Sequence, residues 1–112
     1  MDFETLRKAN TARHAEWAGD KTLSLAFRGV ELAGEAGEAC NELKKLERGR
    51  IGIAGGKTDL EGLREELADI LISVDLIAMD LDIDLGAAVA RKFNKTSEKH
   101  GLKTRIGEPE SE

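Results

Sequence analysis

The chain of 112 residues carries 22 acidic and 17 basic side chains, a formal net charge of −5, and one cysteine, Cys40. This length predicts one domain with a hydrophobic core of its own. The single cysteine excludes an intramolecular disulfide framework, and the acidic balance disfavours a nucleic-acid backbone or an anionic membrane as the main partner.

From the sequence we expect neither a membrane-spanning segment nor a secretory leader. No apolar run approaches the roughly 20 residues of a membrane-spanning helix. The first residues are acidic, whereas a secretory leader begins with a basic stretch and continues with an apolar one. The sequence therefore predicts a cytoplasmic protein. Its charge is compatible with small phosphorylated ligands if divalent cations neutralise some of the carboxylates.

Apolar residues recur every three or four positions through most of the chain, and the single proline lies near the C-terminus. This pattern predicts an all-α fold with no strands. The first helix is predicted over residues 2–18, and Gly19 ends it. Its inner side carries Phe3, Leu6, His14 and Trp17. The second helix begins after a cap at Asp20 or Thr22 and continues to about Arg48.

The segment 49–57 contains four glycines and is predicted to be a mobile loop. Thr58 and Glu61 then have the spacing of a capping box, in which a threonine side chain and a glutamate side chain satisfy each other's backbone N–H groups. This motif predicts the start of a third helix, which continues to about Leu81.

The last predicted helix is capped by Asp84 and ends near His100, where Gly101 can adopt the left-handed conformation that stops a helix. The residues beyond it are polar and acidic, which is typical of disorder. The sequence therefore predicts a single helical domain over residues 1–105 and a disordered tail over residues 106–112.

The third helix is apolar nearly all round. One side carries Leu63, Leu67, Ile70, Val74 and Leu81, and another carries Ala68, Ile72 and Met79. A small domain needs only one buried stripe per helix, so the second side predicts contact with another subunit in a homodimer or homotetramer. The alternative is a central helix surrounded by its own chain. Asp75 lies among these apolar residues and requires a buried partner.

Four glutamates of the second helix follow at steps of four, three and four residues: Glu31, Glu35, Glu38 and Glu42. At about 100° per residue they lie within an arc of about 60°, where like charges repel. On the third helix, Glu66 and Asp69 also share a face. Packing these faces together would bring four to six carboxylates into a hard-oxygen site suited to Mg²⁺ or Mn²⁺.

The alternative interpretation is a solvated acidic surface, which we prefer for Glu61 and Glu65. The central glutamates differ because glycine and alanine separate them in the segment 33–39. Each glycine there costs about 0.8–1 kcal/mol of helix propensity, and a purely solvated helix would gain nothing from that cost. A metal site is therefore the preferred interpretation. A di-iron bundle is disfavoured because no Glu-x-x-His pair is present.

The two acidic motifs, Glu35-Ala-Gly-Glu38 and Glu66-Leu-Ala-Asp69, resemble the ExxE and ExxD pair of the MazG-like all-α nucleoside triphosphate pyrophosphohydrolases. This family includes the dCTP pyrophosphatases and the dimeric dUTPases. The surrounding segments 30–38, 63–72 and 83–94 resemble successive family blocks, so the similarity covers roughly residues 10–100. Either motif alone is weak, whereas the ordered pair is fairly specific.

The resemblance implies a four-helix bundle completed by oligomerisation and Mg²⁺-dependent cleavage of an NTP or dNTP to the monophosphate and pyrophosphate, with Mn²⁺ as a substitute metal. It implies as metal ligands Glu35, Glu38, Glu66 and Asp69. Metal ions that bridge phosphate oxygens neutralise the charge that develops during cleavage. The catalytic candidates are Glu35 and Glu31. Glu31 lies outside the minimal motif and is a candidate base or outer support.

The resemblance also implies residues that bind the nucleotide. In the last helix, the positions that match or neighbour the family's phosphate-binding groups are Lys92, Asn94, Lys95 and Lys99. In the first helix, the segment with His14 and Trp17 resembles the part that closes the nucleotide pocket, and an aromatic ring there can stack on a base. The structural alternatives are a solvated helix end for the lysines and core positions for His14 and Trp17.

A function of another class stays open: a catalytically idle bundle of the same fold that senses nucleotides or binds a protein. Retention of both acidic pairs argues against it. The preferred base, the sugar, and the choice among house-cleaning of the nucleotide pool, dUTP or dCTP control and phage metabolism are left open by the sequence.

Overall fold

A computed structural model describes residues 1–107 of the chain. The described residues form four α-helices: α1 (Phe3–Ala18), α2 (Leu25–Ile51), α3 (Glu61–Asp80) and α4 (Leu85–Lys99). They contain no β-strand, which confirms the predicted all-α class for this part of the chain. Within the same residues, no helix combines the length and the apolar character that a membrane crossing requires.

Side-chain caps define the start of three helices. The carboxylate of Asp2 accepts a hydrogen bond from the Thr5 N–H at 2.8 Å, and Asp84 caps α4 as predicted. The cap of α2 is Ser24, whose hydroxyl accepts from the Phe27 N–H at 3.0 Å. The predicted caps at residues 20 and 22 were therefore wrong. Several residues of this segment have side chains able to cap, and only the last of them directly precedes the helical backbone.

The loop between α2 and α3 also differs from its prediction. Helix α2 continues to Ile51, and Gly52 ends it with a left-handed φ of 75°. The capping box was wrong, because α3 starts after Leu60 without a side-chain cap, and Asp59 accepts from the Glu61 N–H at 3.3 Å. The segment predicted to be a mobile loop doubles back on α2, where the Lys57 N–H donates to the Lys45 carbonyl at 3.1 Å.

Helices α2 and α3 form an antiparallel pair, α1 packs against α3, and α4 packs against α1. Among the described residues, the buried apolar residues are three alanines: Ala39, Ala78 and Ala90. The radius of gyration is 17.6 Å, whereas a compact domain of this length would have about 13 Å. The single chain therefore does not enclose a core of ordinary size.

Asp75, the buried carboxylate of α3, is paired with two residues of α1. The guanidinium of Arg7 contacts both oxygens of Asp75 at 3.0–3.2 Å, and Asn10 donates to Asp75 Oδ2 at 3.0 Å. Arg7 also donates to the carbonyl of Ile83 at 2.8 Å. Asp75 is 0% exposed, so these bonds supply the partners that a buried charge requires and fix α1 on α3.

The two apolar sides of α3 have different surroundings. On the side predicted to meet another subunit, Ala68 is exposed and Ile72 and Met79 are half-buried, and Asn10 of α1 donates to the backbone carbonyl of Ile72 at 3.4 Å. By contrast, Leu67 and Leu71 are 50% and 47% exposed. The Leu67 side, including Leu71, is therefore the more open apolar side of α3, which we call the open face.

The C-terminal segment after α4 is attached to that helix by Asn94. Its side chain donates to the Ile106 carbonyl and accepts from the Ile106 N–H, both at 2.8 Å. The predicted domain boundary and disordered tail concern residues 106–112, of which 108–112 lie outside the described residues.

Candidate metal centre

Three carboxylates converge between α2 and α3. Glu35 and Glu38 lie one turn apart on α2, and Glu66 lies on the first half of α3. Each side chain offers one oxygen, and these oxygens lie within 4.8 Å of one another. The antiparallel packing of the two helices produces this arrangement because it turns the acidic face of α2 toward the acidic face of α3.

The cluster has the donor set of a site for a hard divalent cation. One buried oxygen of Glu35 and one of Glu66, both Oε2, have no hydrogen-bond donor. Leaving such oxygens without a positive partner is unfavourable, and Mg²⁺ and Mn²⁺ prefer carboxylate oxygens. The residues present therefore fit a divalent metal ion.

The carboxylates also perturb one another's protonation. A hydrogen bond to Glu38, burial and the nearby charges of Glu38 and Glu35 raise the pKa of Glu66 to about 7. Burial and the charges of Asp69 and Glu38 raise the pKa of Glu35 as well. Near neutral pH the cluster is therefore partly protonated, and a cation would displace that proton.

Asp69, the second acid of the α3 motif, lies at the edge of this cluster. Its charge and a side-chain hydrogen bond contribute to the raised pKa of Glu35, so the two carboxyl groups are neighbours. Asp69 is exposed, and it is not among the three residues whose oxygens converge within 4.8 Å.

The four glutamates on one face of α2, from Glu31 to Glu42, form an acidic stripe. Its two outer members, Glu31 and Glu42, have cationic partners of their own. Glu31 lies 3.8 Å from a guanidinium nitrogen of Arg28. Glu42 pairs with the ammonium group of Lys57 and lies 3.5 Å from that of Lys45, and these partners hold the pKa of Glu42 below its usual value. The two outer glutamates of the stripe are therefore paired with cationic side chains, and only Glu35 and Glu38 join the cluster. The site does not reach the predicted upper limit of six carboxylates.

A cavity of about 320 Å³ lies at the N-terminal end of α2, between α1, α2 and α3. His14 and Trp17 line it from α1, and Arg28 and Glu31 line it from α2. Trp17 is 66% exposed and therefore does not occupy the predicted inner side of α1. A flat aromatic ring at the mouth of a cavity is suited to stacking on a planar ligand.

Arg28 is a buried residue of this cavity that the sequence did not single out. Its Nε donates to Asp80 Oδ2 at 2.9 Å, and its Nη2 lies 3.4 Å from His14 Nδ1. His14 Nε2 lies 3.1 Å from the Lys21 carbonyl, which requires a donor at Nε2 and leaves Nδ1 to accept from Arg28. Both ring nitrogens of His14 are therefore engaged within the chain.

A larger cavity of about 610 Å³ lies between α1 and the start of α4. Its wall includes Asp2, Asp82 and Asp84 together with Arg7, and the buried Asp75 is at its base. The carboxylate of Asp75 is already paired with Arg7 and Asn10. Because its buried carboxylate is already paired and the converging oxygens lie elsewhere, this cavity is the weaker candidate for chemistry.

The predicted phosphate-binding residues of α4 are not brought to the carboxylates by packing within the described chain. Helix α4 packs against α1, whereas the cluster lies between α2 and α3. The exposed residues among them are Lys92, Lys95 and Lys99. Asn94 holds the backbone of Ile106.

The sequence matches the family model of the MazG nucleotide pyrophosphohydrolase domain over residues 28–102. It is 33% identical over 76 residues to the "Gene 37 protein" of Mycobacterium phage L5. That similarity covers 68% of this chain and 66% of the phage protein, so the chain spans slightly less than two thirds of its relative. No solved structure matches the sequence.

Proposed function

The chain belongs to the MazG nucleotide pyrophosphohydrolase family, and from that premise we propose that it hydrolyses a nucleoside triphosphate to the monophosphate and pyrophosphate with Mg²⁺. The observation that carries the proposal is the convergence of Glu35, Glu38 and Glu66. Two of these carboxylates have buried oxygens without a hydrogen-bond donor, which a divalent cation carrying the triphosphate would bind.

The proposed reaction joins a water oxygen to the α-phosphorus and breaks the bond from that phosphorus to the bridging oxygen. The electron pair of this bond leaves with pyrophosphate, and the water gives up a proton. A divalent cation supplies charge neutralisation on the phosphate oxygens. Glu35, Glu38 and Glu66 would hold it, with Asp69 at the edge as a fourth ligand.

A carboxylate of the chain accepts the proton from the attacking water. We assign this role to Glu35, which lies in the cluster and has one buried oxygen without a hydrogen-bond donor. Glu31 is paired with Arg28 at the cavity, so we assign it to positioning Arg28 rather than to proton transfer.

The cavity lined by Trp17 is the proposed site of the nucleoside. It lies at the N-terminal end of α2, next to the central carboxylates along the helix. The exposed ring of Trp17 would stack on the base, and His14 would hold Arg28 in the wall. This arrangement identifies no particular base.

The test of the proposed activity is release of pyrophosphate from a panel of NTPs and dNTPs, with and without Mg²⁺. We expect release that depends on Mg²⁺, with Mn²⁺ able to replace it. Absence of release from every triphosphate, together with tight nucleotide binding, would instead favour the catalytically idle sensor. The same panel identifies the preferred base and sugar.

We also propose that a second copy of the chain covers the open face of α3. Two side chains of this face, Leu67 and Leu71, are about half exposed, and the chain alone buries little apolar surface. Covering this face would supply the core that the extended monomer lacks. We therefore expect a dimer or tetramer, with the lysines of α4 free to approach a neighbouring subunit.

Sedimentation at micromolar concentration is expected to show a dimer or tetramer for the natural sequence. Leu67→Glu places a charge on the open face and is expected to shift the protein to monomers. Glu65→Lys, at an exposed position two residues before Leu67 and therefore on the opposite side of α3, is the matched control and should leave the assembly intact. A monomeric natural protein, or dissociation by the control alone, would contradict this assignment.

A further inference from the structure

Lys57 lies at the C-terminal end of the acidic stripe of α2. Its ammonium group pairs with Glu42, which is also approached by the ammonium group of Lys45 at 3.5 Å. The two lysines and one glutamate carry a net charge of +1, one helical turn beyond Glu38. Lys57 therefore adds a second positive charge beside Glu42, next to that of Lys45.

Close backbone packing holds Lys57 in this place. A Cβ atom on Gly49 would lie 2.8 Å from the carbonyl carbon of Lys57, and one on Gly56 would lie 2.6 Å from that of Arg48. Such distances are too short for a side chain, and the opposing atoms are backbone atoms that cannot move aside. The glycines of the loop thus allow it to lie directly on α2 and to direct Lys57 toward Glu42.

The N-terminus of α3 adds to the positive potential at the same place. A Cβ atom on Gly62, in the first turn of α3, would lie 2.8 Å from the ammonium nitrogen of Lys57. This turn has no side-chain cap from Leu60, and the N-terminal end of a helix carries partial positive charge. Two ammonium groups and a helix terminus therefore converge beside Glu42, and Asp59, which accepts from the first N–H of α3, is a second acidic neighbour of Lys57.

The order of groups along α2 matches the order of groups in a nucleoside triphosphate. The cavity with Trp17 lies at Glu31, the carboxylate cluster begins at Glu35, and Lys57 lies at Glu42. Eleven residues of α-helix separate the two ends, a distance of about 16 Å at 1.5 Å per residue. Base, reacting phosphate and terminal phosphates can therefore lie along one helix.

Resting on the proposed function, we propose that Lys57, assisted by Lys45, binds the two terminal phosphates of the substrate and the pyrophosphate that leaves. When the bond to the α-phosphorus breaks, the bridging oxygen keeps the electron pair, and the ammonium group of Lys57 stabilises that charge. The Lys57 side chain is 29% exposed, so it is not sealed inside the fold by its pairing with Glu42.

Titration calorimetry at a fixed Mg²⁺ concentration tests this role with inorganic pyrophosphate and with the monophosphate of the best substrate. Lys57→Met is expected to weaken pyrophosphate binding about tenfold, as for the loss of one charge-assisted hydrogen bond. Binding of the monophosphate, which lacks the terminal phosphates, should not change. Lys57→Arg should retain most of the affinity for pyrophosphate, and Lys44→Met, at an exposed neighbouring position, should behave as the natural protein.

Glu42→Gln is expected to change the affinity for pyrophosphate in the opposite direction. This change removes the carboxylate that competes for both lysines, so pyrophosphate should bind more tightly, by about fivefold or more. If the ion pair served only to hold the loop, the same change would loosen the loop and would not improve pyrophosphate binding.

The outcomes separate this inference from the proposed function. Equal pyrophosphate affinity in Lys57→Met and the natural protein would overturn the role of Lys57, as would an equal loss of monophosphate binding in Lys57→Met. A natural protein that neither binds nor hydrolyses any triphosphate would overturn the proposed function itself.

Discussion

Glu38→Gln is expected to lower kcat/KM for the best triphosphate by more than about 100-fold, because loss of even an outer-shell partner of a metal costs 10–100-fold. The change removes one ligand charge from the cluster with Glu35 and Glu66 and leaves the side-chain volume unchanged. Pyrophosphate release with saturating Mg²⁺ measures the effect, and far-ultraviolet circular dichroism establishes that the helices are retained.

Glu65→Gln is the matched control for this experiment. Glu65 is an exposed residue of α3 beside Glu66 and makes no contact with the cluster in the described structure, so its replacement should leave kcat/KM within about twofold. Activity of Glu38→Gln close to that of the control would refute the metal centre. Loss of helical dichroism together with activity would show instead that Glu38 supports the fold.

The sequence predicted those parts of the fold that depend on local signals. The apolar period identified four helices, and Asp84 was correctly predicted as a cap because its carboxylate bonds only three residues away. The start of α3 was not predictable in this way. It has no side-chain cap, and its first turn lies against Lys57, a contact that exists only after the loop has packed on α2.

In the candidate site too, features set within one helix could be predicted, whereas contacts between distant segments could not. Residues of one helix face can be identified from their spacing, so the central pair, Glu35 and Glu38, was predictable together with Glu66. The pairs of Arg28 with Asp80 and of Lys57 with Glu42 join distant parts of the chain. No spacing rule reveals them. They decide which glutamates of the stripe remain free of a cationic partner.

The raised pKa of Glu66, about 7, predicts how stability of the metal-free protein depends on pH. An acid whose pKa is higher in the folded than in the unfolded state is destabilising when it ionises. Its unfavourable contribution is absent below the unfolded value near 4.5 and grows as the pH rises through about 7. We therefore expect the melting temperature of the natural protein, relative to Glu66→Gln, to fall between pH 5 and pH 8.

Metal should reverse this trend, because Mg²⁺ binds the ionised cluster and displaces its proton. A ligand present at 100 times its Kd stabilises the folded state by about 2.7 kcal/mol, provided that the unfolded chain does not bind it. Thermal melts with EDTA or Mg²⁺ should thus show a larger metal response at pH 8 than at pH 5.5, and little response in Glu66→Gln.

A cluster that only holds the helices together would behave differently: replacing Glu66 would destabilise the protein at both pH values, and Mg²⁺ would have the same small effect on both proteins. The sign of the change in the metal-free protein therefore separates carboxylates arranged to repel, and so to bind a cation, from carboxylates that stabilise the fold.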